Sequence, residues 1–416
     1  MFGNVSRSRL LPMSLPFRYF GAAVAFQLAA WGVLFPFSAE LISFRGGLGP
    51  VFAAVHLLTL GVLAMTAIGA TLQLLPVATR QPVRALWAVK LVWWALVPGI
   101  LAFAAAAAAY RPDLMGPGAV LVVAALAGYA VLLWKNLAGA RGMRVVVMHG
   151  WAALACLAAL AATGLALVVR YEHGIALDHG AFRSAHLVLA AYGFMGLLAA
   201  GLSSFLLPML AVAPPPAPRV SFGVLAAAVA AIVVASLGFT TPGALLGLAA
   251  ATAHVAALER SLRARLRPLP GPAFLLIRVS WACLLGSLAL AALGFPGGTL
   301  LFAVLLVPGW LLTFLLGVMQ RIVPFLASVH ASSTARGTPL ISALTPVRLL
   351  ALHHVLHLGA LALLAGAALS GEPLVARIGA AAGFAAAAAY AAFFAYVLLK
   401  ARSHGNAYPP SQPAPA

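Results

Sequence analysis

The sequence predicts an all-α polytopic membrane protein with about twelve transmembrane helices in three pseudo-symmetric four-helix units. The observations behind this prediction are the composition, the length of the apolar runs and a motif that recurs along the chain. Of the 416 residues, 64% are hydrophobic and only 7% are charged. Water-soluble domains do not have this composition.

Long apolar runs follow one another from Phe17 to Leu399. A hydrocarbon core about 30 Å thick requires roughly 20 residues of helix, because a spanning segment must satisfy its backbone polar groups internally. The first run has no small-residue cleavage site and is expected to be a retained helix. The predicted spans are residues 18–42, 50–77, 85–109, 117–138, 146–170, 183–212, 220–240, 242–258, 273–294, 299–327, 346–370 and 374–399.

The net charge of +19 comes from 25 Lys and Arg residues against six Asp and Glu residues. Almost all the basic residues lie between apolar runs, so we expect them to set membrane topology and predict no nucleic-acid partner. With both termini in the cytoplasm, 20 basic residues lie on the inner side. This distribution predicts a multi-pass protein of a bacterial-type inner (plasma) membrane. The five outer residues would be Arg45, Arg111, Arg170, Arg183 and Arg377.

One motif, G-x7-G-x6-P, occurs in the second, sixth and tenth spans at intervals of 132 and 116 residues. Its recurrence in every fourth helix predicts an internal triplication. Glycines eight residues apart lie near one helix face, where a neighbouring helix or a flat cofactor could approach, and the proline should end or kink the helix. The motif residues are Gly61, Gly69 and Pro76, then Gly193, Gly201 and Pro208, then Gly309, Gly317 and Pro324.

The repeat divides the chain into three membrane quartets and a tail. The quartets comprise residues 1–138, 139–258 and 259–403. Residues 404–416 end in Pro-Pro-Ser-Gln-Pro-Ala-Pro-Ala, a composition typical of a disordered segment, here expected in the cytoplasm.

Two histidines lie in the outer halves of equivalent spans, His56 in the second and His186 in the sixth. A polar side chain in hydrocarbon is costly, so each is a candidate functional residue. Both could bind one iron or copper ion through a neutral ring nitrogen. Counted from the repeat glycines at about 100° per residue, however, they occupy opposite sides of their helices, which favours separate sites.

The densest histidine cluster is His353, His354 and His357 in the eleventh span. The i, i+4 pair projects two imidazoles from one helix face, a spacing used for transition metals. The cluster could form a separate metal or haem site, or a polar patch between helices. Its position near the inner surface separates it from His56 and His186.

Other polar residues carry weaker indications. His149 and His254 could relay protons or pack as polar groups, and the loop histidines His173 and His179 could capture a metal ion loosely or be solvated. Gln73, Gln320 and Arg321 could hold a haem propionate or a lipid headgroup, but are expected to snorkel to the membrane surface.

Twelve helices in three quartets, with an intramembrane histidine in the outer half of the second, resemble subunit I of the haem-copper oxidase and nitric oxide reductase superfamily. The stretch from His56-Leu-Leu-Thr-Leu-Gly61 to Gln73-Leu-Leu-Pro76 is similar to short single-chain relatives of that subunit and to the NnrS type of membrane haem protein. By this resemblance His56 would be an axial ligand of a b-type haem. His186 matches, in place, a helix that supplies a copper ligand.

The chain departs from the family in two spans. The seventh span has no histidine where the family has a His-His pair for copper, and the tenth has only His330 beyond its expected end. The resemblance therefore does not imply an intact terminal oxidase.

The first hypothesis is a membrane protein that binds haem, or haem and copper, and acts in electron transfer or in nitric oxide or oxygen handling. If it is an enzyme, it would be a haem-dependent oxidoreductase, with a respiratory-chain electron donor or partner subunit. The alternatives are a metal- or haem-handling membrane transporter and a structural or assembly partner of a respiratory complex. None of the six acidic residues lies centrally in a span, which weakens the transporter hypothesis.

Overall fold

In the computed structural model, which describes residues 10–266, 271–294, 298–331 and 339–406, the secondary structure is entirely helical. The twelve helices that are long and apolar enough to cross a membrane confirm the predicted all-α fold and each predicted span. They are α1 Ser14–Leu34, α2 Pro50–Thr79, α3 Leu86–Ala108, α4 Pro112–Ala138, α5 Arg144–His173, α6 His179–Ala211, α7 Pro218–Ser236, α8 Thr240–Arg263, α9 Ala273–Leu293, α10 Thr299–Ala331, α11 Val347–Ser370 and α12 Pro373–Asn406.

The outer surface of the bundle carries many large apolar side chains. Trp87 is 70% exposed, Trp94 63% and Val355 71%, all in the middle or first turns of spanning helices. In water such a surface would be unstable, whereas lipid tails solvate it without cost. The protein is therefore a multi-pass membrane protein in a lipid bilayer.

The packing of the helices repeats three times. Within each quartet the third and fourth helices form a closely packed pair, and the first helix packs along the second. The fourth helix of each quartet packs against the first helix of the next, through the contacts α4–α5, α8–α9 and α12–α1. The last of these contacts closes the ring.

The central helices α2, α6 and α10 share an unusual backbone feature. Each contains an eight-residue π-helical segment, at Leu57–Ala64, Leu189–Gly196 and Leu305–Leu312. The first glycine of the repeat motif is the fifth residue of all three segments. Because π-helical turns are rare, their recurrence at one register indicates that the three units have a common backbone design.

The repeat glycines admit the first helix of their own unit. A Cβ on Gly61 would lie 2.5 Å from Phe26 of α1, and one on Gly193 would lie 2.9 Å from Cys156 of α5. On Gly309 it would lie 3.0 Å from Cys283 of α9. Of the two occupants that the sequence allowed, a neighbouring helix and a flat cofactor, the structure has the helix.

The repeat prolines lie inside their helices and do not end them. Pro76, Pro208 and Pro324 are each followed by at least three further helical residues. As a result α10 continues to Ala331, so His330 belongs to its last turn and does not lie beyond the helix as the sequence suggested.

The predicted tail begins inside α12, which includes His404 and ends at Asn406. Residues 407–416 lie outside the described part of the chain, as do the basic residues Arg7, Arg9, Arg267 and Arg336.

The close helix contact at Gly61 gives a test of the packing. We expect Gly61→Ala to lower the free energy of unfolding by about 1–3 kcal/mol, because the added methyl overlaps Cβ and Cγ of Phe26. The matched control is Gly359→Ala in α11, where a Cβ meets nothing within 4 Å. Thermal or denaturant unfolding in detergent provides the measurement, and equal stability of the two variants would contradict the assigned packing.

Candidate functional site

A cavity of about 750 Å³ lies among the central helices and is lined by residues from all three units. This volume is within the range of about 300–1,000 Å³ typical of ligand pockets. Its wall is mostly apolar and includes the aromatic rings of Trp31, Phe103, Tyr192 and Trp310. Four histidines, His56, His179, His186 and His254, also line it.

His56 forms a hydrogen bond within its own helix and packs against two aromatic rings. Its Nδ1 is 3.0 Å from the backbone oxygen of Phe52, one turn earlier in α2. The imidazole lies 4.0 Å from the ring of Phe52 and 5.3 Å from that of Phe103, centroid to centroid. If Nδ1 donates to the carbonyl, Nε2 carries the lone pair that a metal requires.

His186 packs against α5. Its Nδ1 is 3.4 Å from Oγ1 of Thr163, and a Cβ on Gly164 would lie 3.1 Å from its Cε1. The Thr163 hydroxyl also bonds to the carbonyl of Ala159 at 3.0 Å. Since one hydroxyl proton cannot serve both partners, Thr163 is an acceptor for Nδ1–H of His186, which leaves Nε2 unprotonated.

The structure brings His56 and His186 together, contrary to the separate sites that the helical-wheel count favoured. Both line the same cavity, and they are close enough to interact electrostatically.

Two arginines that sequence analysis assigned only to topology also line the cavity. Arg183 lies three residues before His186, and its Nη1 donates to the backbone oxygen of Arg45 at 2.7 Å. Arg45 itself donates to the backbone oxygens of Ile42 and Phe44, both at 3.1 Å. The two guanidinium groups therefore stand at one end of the cavity, near the connections that precede α2 and α6. The sequence signal for this position was proximity in the chain, since Arg183 lies three residues before His186 and Arg45 lies in the connection before α2.

Nε2 of another cavity histidine, His254 of α8, is 3.1 Å from Oγ of Ser203. It interacts electrostatically with His149 of α5, which is buried and whose Nδ1 is 2.8 Å from the Val145 carbonyl. The Cβ of His149 covers the second repeat glycine, Gly201. His149 is thus a packing residue, whereas His254 opens into the cavity.

The cluster on α11 is separate from this cavity. His353, His354 and His357 are all buried, and none of them lines the cavity. The rings of His353 and His357 stack with centroids 5.6 Å apart. Nε2 of His357 is 2.8 Å from Oγ1 of Thr313, and Nδ1 of His353 is 3.0 Å from Nε2 of Gln320.

No three His, Cys, Asp or Glu side chains within the described ranges converge on a point that could hold a metal ion. The metal or haem site predicted at His353, His354 and His357 stays a prediction. His357 is directed toward Thr313 of α10, while His353 is directed toward Gln320.

Two glutamines expected to snorkel are instead buried. Gln73 accepts from the backbone nitrogen of Leu11 at 3.2 Å, and its Nε2 is 3.4 Å from Nε2 of His330. Gln320 bonds to His353. An amide is uncharged, so it can be buried at low cost when a neighbouring helix provides a hydrogen-bond partner. It does not need to extend to the membrane surface as a charged side chain does. The snorkelling prediction is therefore wrong for both.

In the loop between α5 and α6, the two acids are bonded mainly to backbone nitrogens. Glu172 accepts from the backbone nitrogen of Gly116 at 2.6 Å, and Asp178 accepts from that of Ala181 at 3.1 Å as the N-cap of α6. His173 is 3.9 Å from Glu172, with 68% of its side chain exposed. These contacts favour a solvated loop for His173, whereas His179 is the first residue of α6 and lines the cavity.

No protein-family model matches the chain, and no curated protein matches it significantly. The function is therefore inferred from the geometry of the cavity.

The Thr313–His357 contact gives a test of the α10–α11 interface. The Thr313 hydroxyl donates to the Pro308 carbonyl at 2.7 Å and so accepts from His357. We expect Thr313→Val to lower the free energy of unfolding by about 1–3 kcal/mol, because the Pro308 carbonyl and the His357 imidazole both lose their partner in a buried site. Thr59→Val, which removes a bond only to the Val55 carbonyl of its own helix, is the matched control. Equal unfolding midpoints in detergent would contradict this assignment.

Proposed function

We propose that the chain is a membrane haem protein in which His56 and His186 bind the haem iron or, for His186, a neighbouring copper ion. The observation that supports this most strongly is the entry of two imidazoles, from equivalent helices of adjacent units, into one apolar cavity. The resemblance to subunit I of the haem-copper oxidase superfamily agrees with this role for His56. The proposed haem is b-type, because the two cysteines, Cys156 and Cys283, lie on α5 and α9 and pack against repeat glycines.

The residues of the cavity fit a haem in three respects. Each histidine has Nδ1 tied to its surroundings, so Nε2 is the nitrogen presented to a ligand. The wall is apolar, as a porphyrin plane requires, with rings such as Phe103 beside His56. At one end, Arg45 and Arg183 provide positive charge for the carboxylates that the porphyrin edge carries.

The haem would supply one-electron redox chemistry, while the protein controls ligation, access and the electrostatic environment. Phe52 and Phe103 fix the plane of the His56 ring, and Thr163 fixes that of His186. His254 and Ser203 form a polar pair on another part of the wall, where they could hold a proton or orient a small polar molecule.

These features support a role in electron transfer or in nitric oxide or oxygen handling. The helix that carries a copper-binding His-His pair in the resembled family is α7, Pro218–Ser236, which has no histidine. If the protein is an enzyme, an oxidoreductase centre would have to use His254 or another cavity group. A respiratory-chain donor or partner subunit would supply the electrons.

The two alternatives are a metal- or haem-handling transporter and an assembly partner of a respiratory complex. Coupled transporters commonly use carboxylates in the middle of spanning helices, whereas two acids of this chain pair with arginines at helix ends. Glu259 pairs with Arg278 at 2.7 Å, and Asp113 pairs with Arg111 at 2.7 Å. We therefore prefer the haem protein.

We expect the detergent-purified protein to show a Soret band and a b-type pyridine haemochrome spectrum. His56→Ala should remove most of the Soret absorbance and His186→Ala should shift or weaken it, because each loses a ligand nitrogen. His173→Ala, the same substitution at an exposed loop histidine, should leave the spectrum unchanged.

A colourless protein would overturn the haem assignment. If the colourless protein binds copper and His56→Ala removes it, the transporter is favoured. If neither His56→Ala nor His186→Ala changes the metal content, the assembly partner is favoured. Size-exclusion profiles of all variants show whether a spectral loss reflects misfolding.

We also propose that both termini are cytoplasmic, in a bacterial-type inner membrane. The supporting observation is the basic-residue asymmetry, in which four of the five outer arginines, Arg45, Arg111, Arg170 and Arg183, lie beside the ends of α2–α6 that form one surface.

A reporter at the C-terminus tests this topology. A fluorescent-protein fusion after residue 416 should be bright, and an alkaline-phosphatase fusion at the same position should be inactive, because the phosphatase requires the oxidising outer compartment. The reverse pattern would overturn the topology. A phosphatase fused within the loop between α3 and α4 should be active and serves as the control.

A further inference from the structure

A further part of the cavity lies between the second and third units, where helices α7 to α10 line it. The lining residues of α8 follow the i, i+3, i+4, i+7 spacing of a single helix face. From the first to the last of them the helix rises about 16 Å. All except the last are glycine or alanine, so this wall is a long apolar groove that ends at an imidazole. The residues are Gly243, Ala244, Gly247, Ala250, Ala251 and His254.

The hydrogen bonds of His254 determine which of its nitrogens carries the proton. The Ser203 hydroxyl donates to the Ala200 carbonyl at 3.0 Å. Because that hydroxyl has a single proton, it accepts from His254, and Nε2 is the protonated nitrogen. A charged imidazole in this interior would need an acidic partner, and no carboxylate in the described ranges bonds to His254. The ring is therefore neutral, and Nδ1 carries a lone pair.

Nδ1 of His254 is accessible from the cavity. It forms no hydrogen bond with the described residues, and it is not one of the polar atoms that the protein encloses completely. The imidazole lies deep within the bundle, so the surface that Nδ1 retains faces the cavity and not the surrounding lipid. An accessible acceptor in an apolar site favours a ligand that brings an O–H or N–H donor.

Two aromatic rings lie near the same end of the groove. His254 is nine residues before the end of α8, and Trp281 is eight residues after the start of α9, which packs against α8 in the opposite direction. Trp281 belongs to a buried apolar cluster against which Phe314 of α10 packs, and both residues line the cavity. Aromatic side chains pack well against a flat ring. This end of the groove therefore combines a hydrogen-bond acceptor with aromatic surface.

We propose that the groove binds a lipid-soluble hydroquinone, whose ring hydroxyl donates to Nδ1 of His254 and whose apolar tail lies along the glycines and alanines of α8. The ring of the ligand fits near Trp281 and Phe314, and the tail fits a wall without polar side chains. The oxidised quinone has carbonyl acceptors in place of hydroxyls, so it offers no donor to Nδ1. The site therefore selects the reduced form. None of these residues is a proposed haem ligand, so the site does not depend on the haem.

The test is calorimetric titration of the purified full-length protein, under anaerobic conditions in detergent, with decylhydroquinone and separately with decylbenzoquinone. Wild type should bind the hydroquinone about 10-fold more tightly, as expected for one buried hydrogen bond whose acceptor otherwise stays unpaired. His254→Phe should remove this preference by weakening hydroquinone binding alone. His254→Gln should restore the hydroquinone affinity, because its amide oxygen is an acceptor. Ser203→Ala should reduce the preference, because the imidazole can then carry its proton on either nitrogen.

The groove itself has a matched pair of variants. Ala251→Leu should weaken the binding of both compounds, because the larger side chain fills the space of the tail. Ala253→Leu is the control, since Ala253 lies on the same helix but is exposed and outside the cavity. It should leave both affinities unchanged.

Equal wild-type affinities for the two compounds would overturn the site, because the groove would then accept any apolar chain. An unchanged preference in His254→Phe would also overturn it. Loss of the preference in His56→Ala, with His254→Phe unaffected, would place the ring between the first and second units and count against the proposal in the same way. A preparation without a Soret band that keeps the preference dependent on His254 would leave this site standing and remove only the haem.

Discussion

The architecture depends on the close approach of the first helix of each unit to the central helix at the repeat glycines. At Gly61 and Gly69 the side chains of α1 occupy the space that a Cβ would take, and α5 and α9 do the same at the equivalent glycines. In lipid, apolar burial contributes little to helix association, so close packing at small residues becomes a main source of stability. With the first helices held there, the cavity forms on other faces of the central helices.

The π-helical segments extend this constraint. Each one widens the central helix around the first repeat glycine, and the segments of α2 and α6 both contact that of α10. The extra residue per turn frees backbone carbonyls from the usual i→i+4 bonding. In α10 one of these, the carbonyl of Pro308, accepts from Thr313, which in turn accepts from His357. The backbone irregularity therefore connects directly to the polar cluster of the third unit.

The three units share one helix arrangement but place different side chains in its interior. All three units line the apolar cavity, to which the first two contribute His56 and His186, while the third also holds a compact polar cluster around His353.

The sequence by itself determined the all-helical membrane fold, the twelve spans and the register of the triplication, because apolar length and glycine spacing act within single helices. It also identified His56, His186 and the α11 histidines as polar residues in hydrocarbon. Only the tertiary structure decided which of these meet. Whether two helix faces share a space depends on the closure of the ring, and the burial of Gln73 and Gln320 depends on partners far away in the chain. Neither property is encoded in local periodicity.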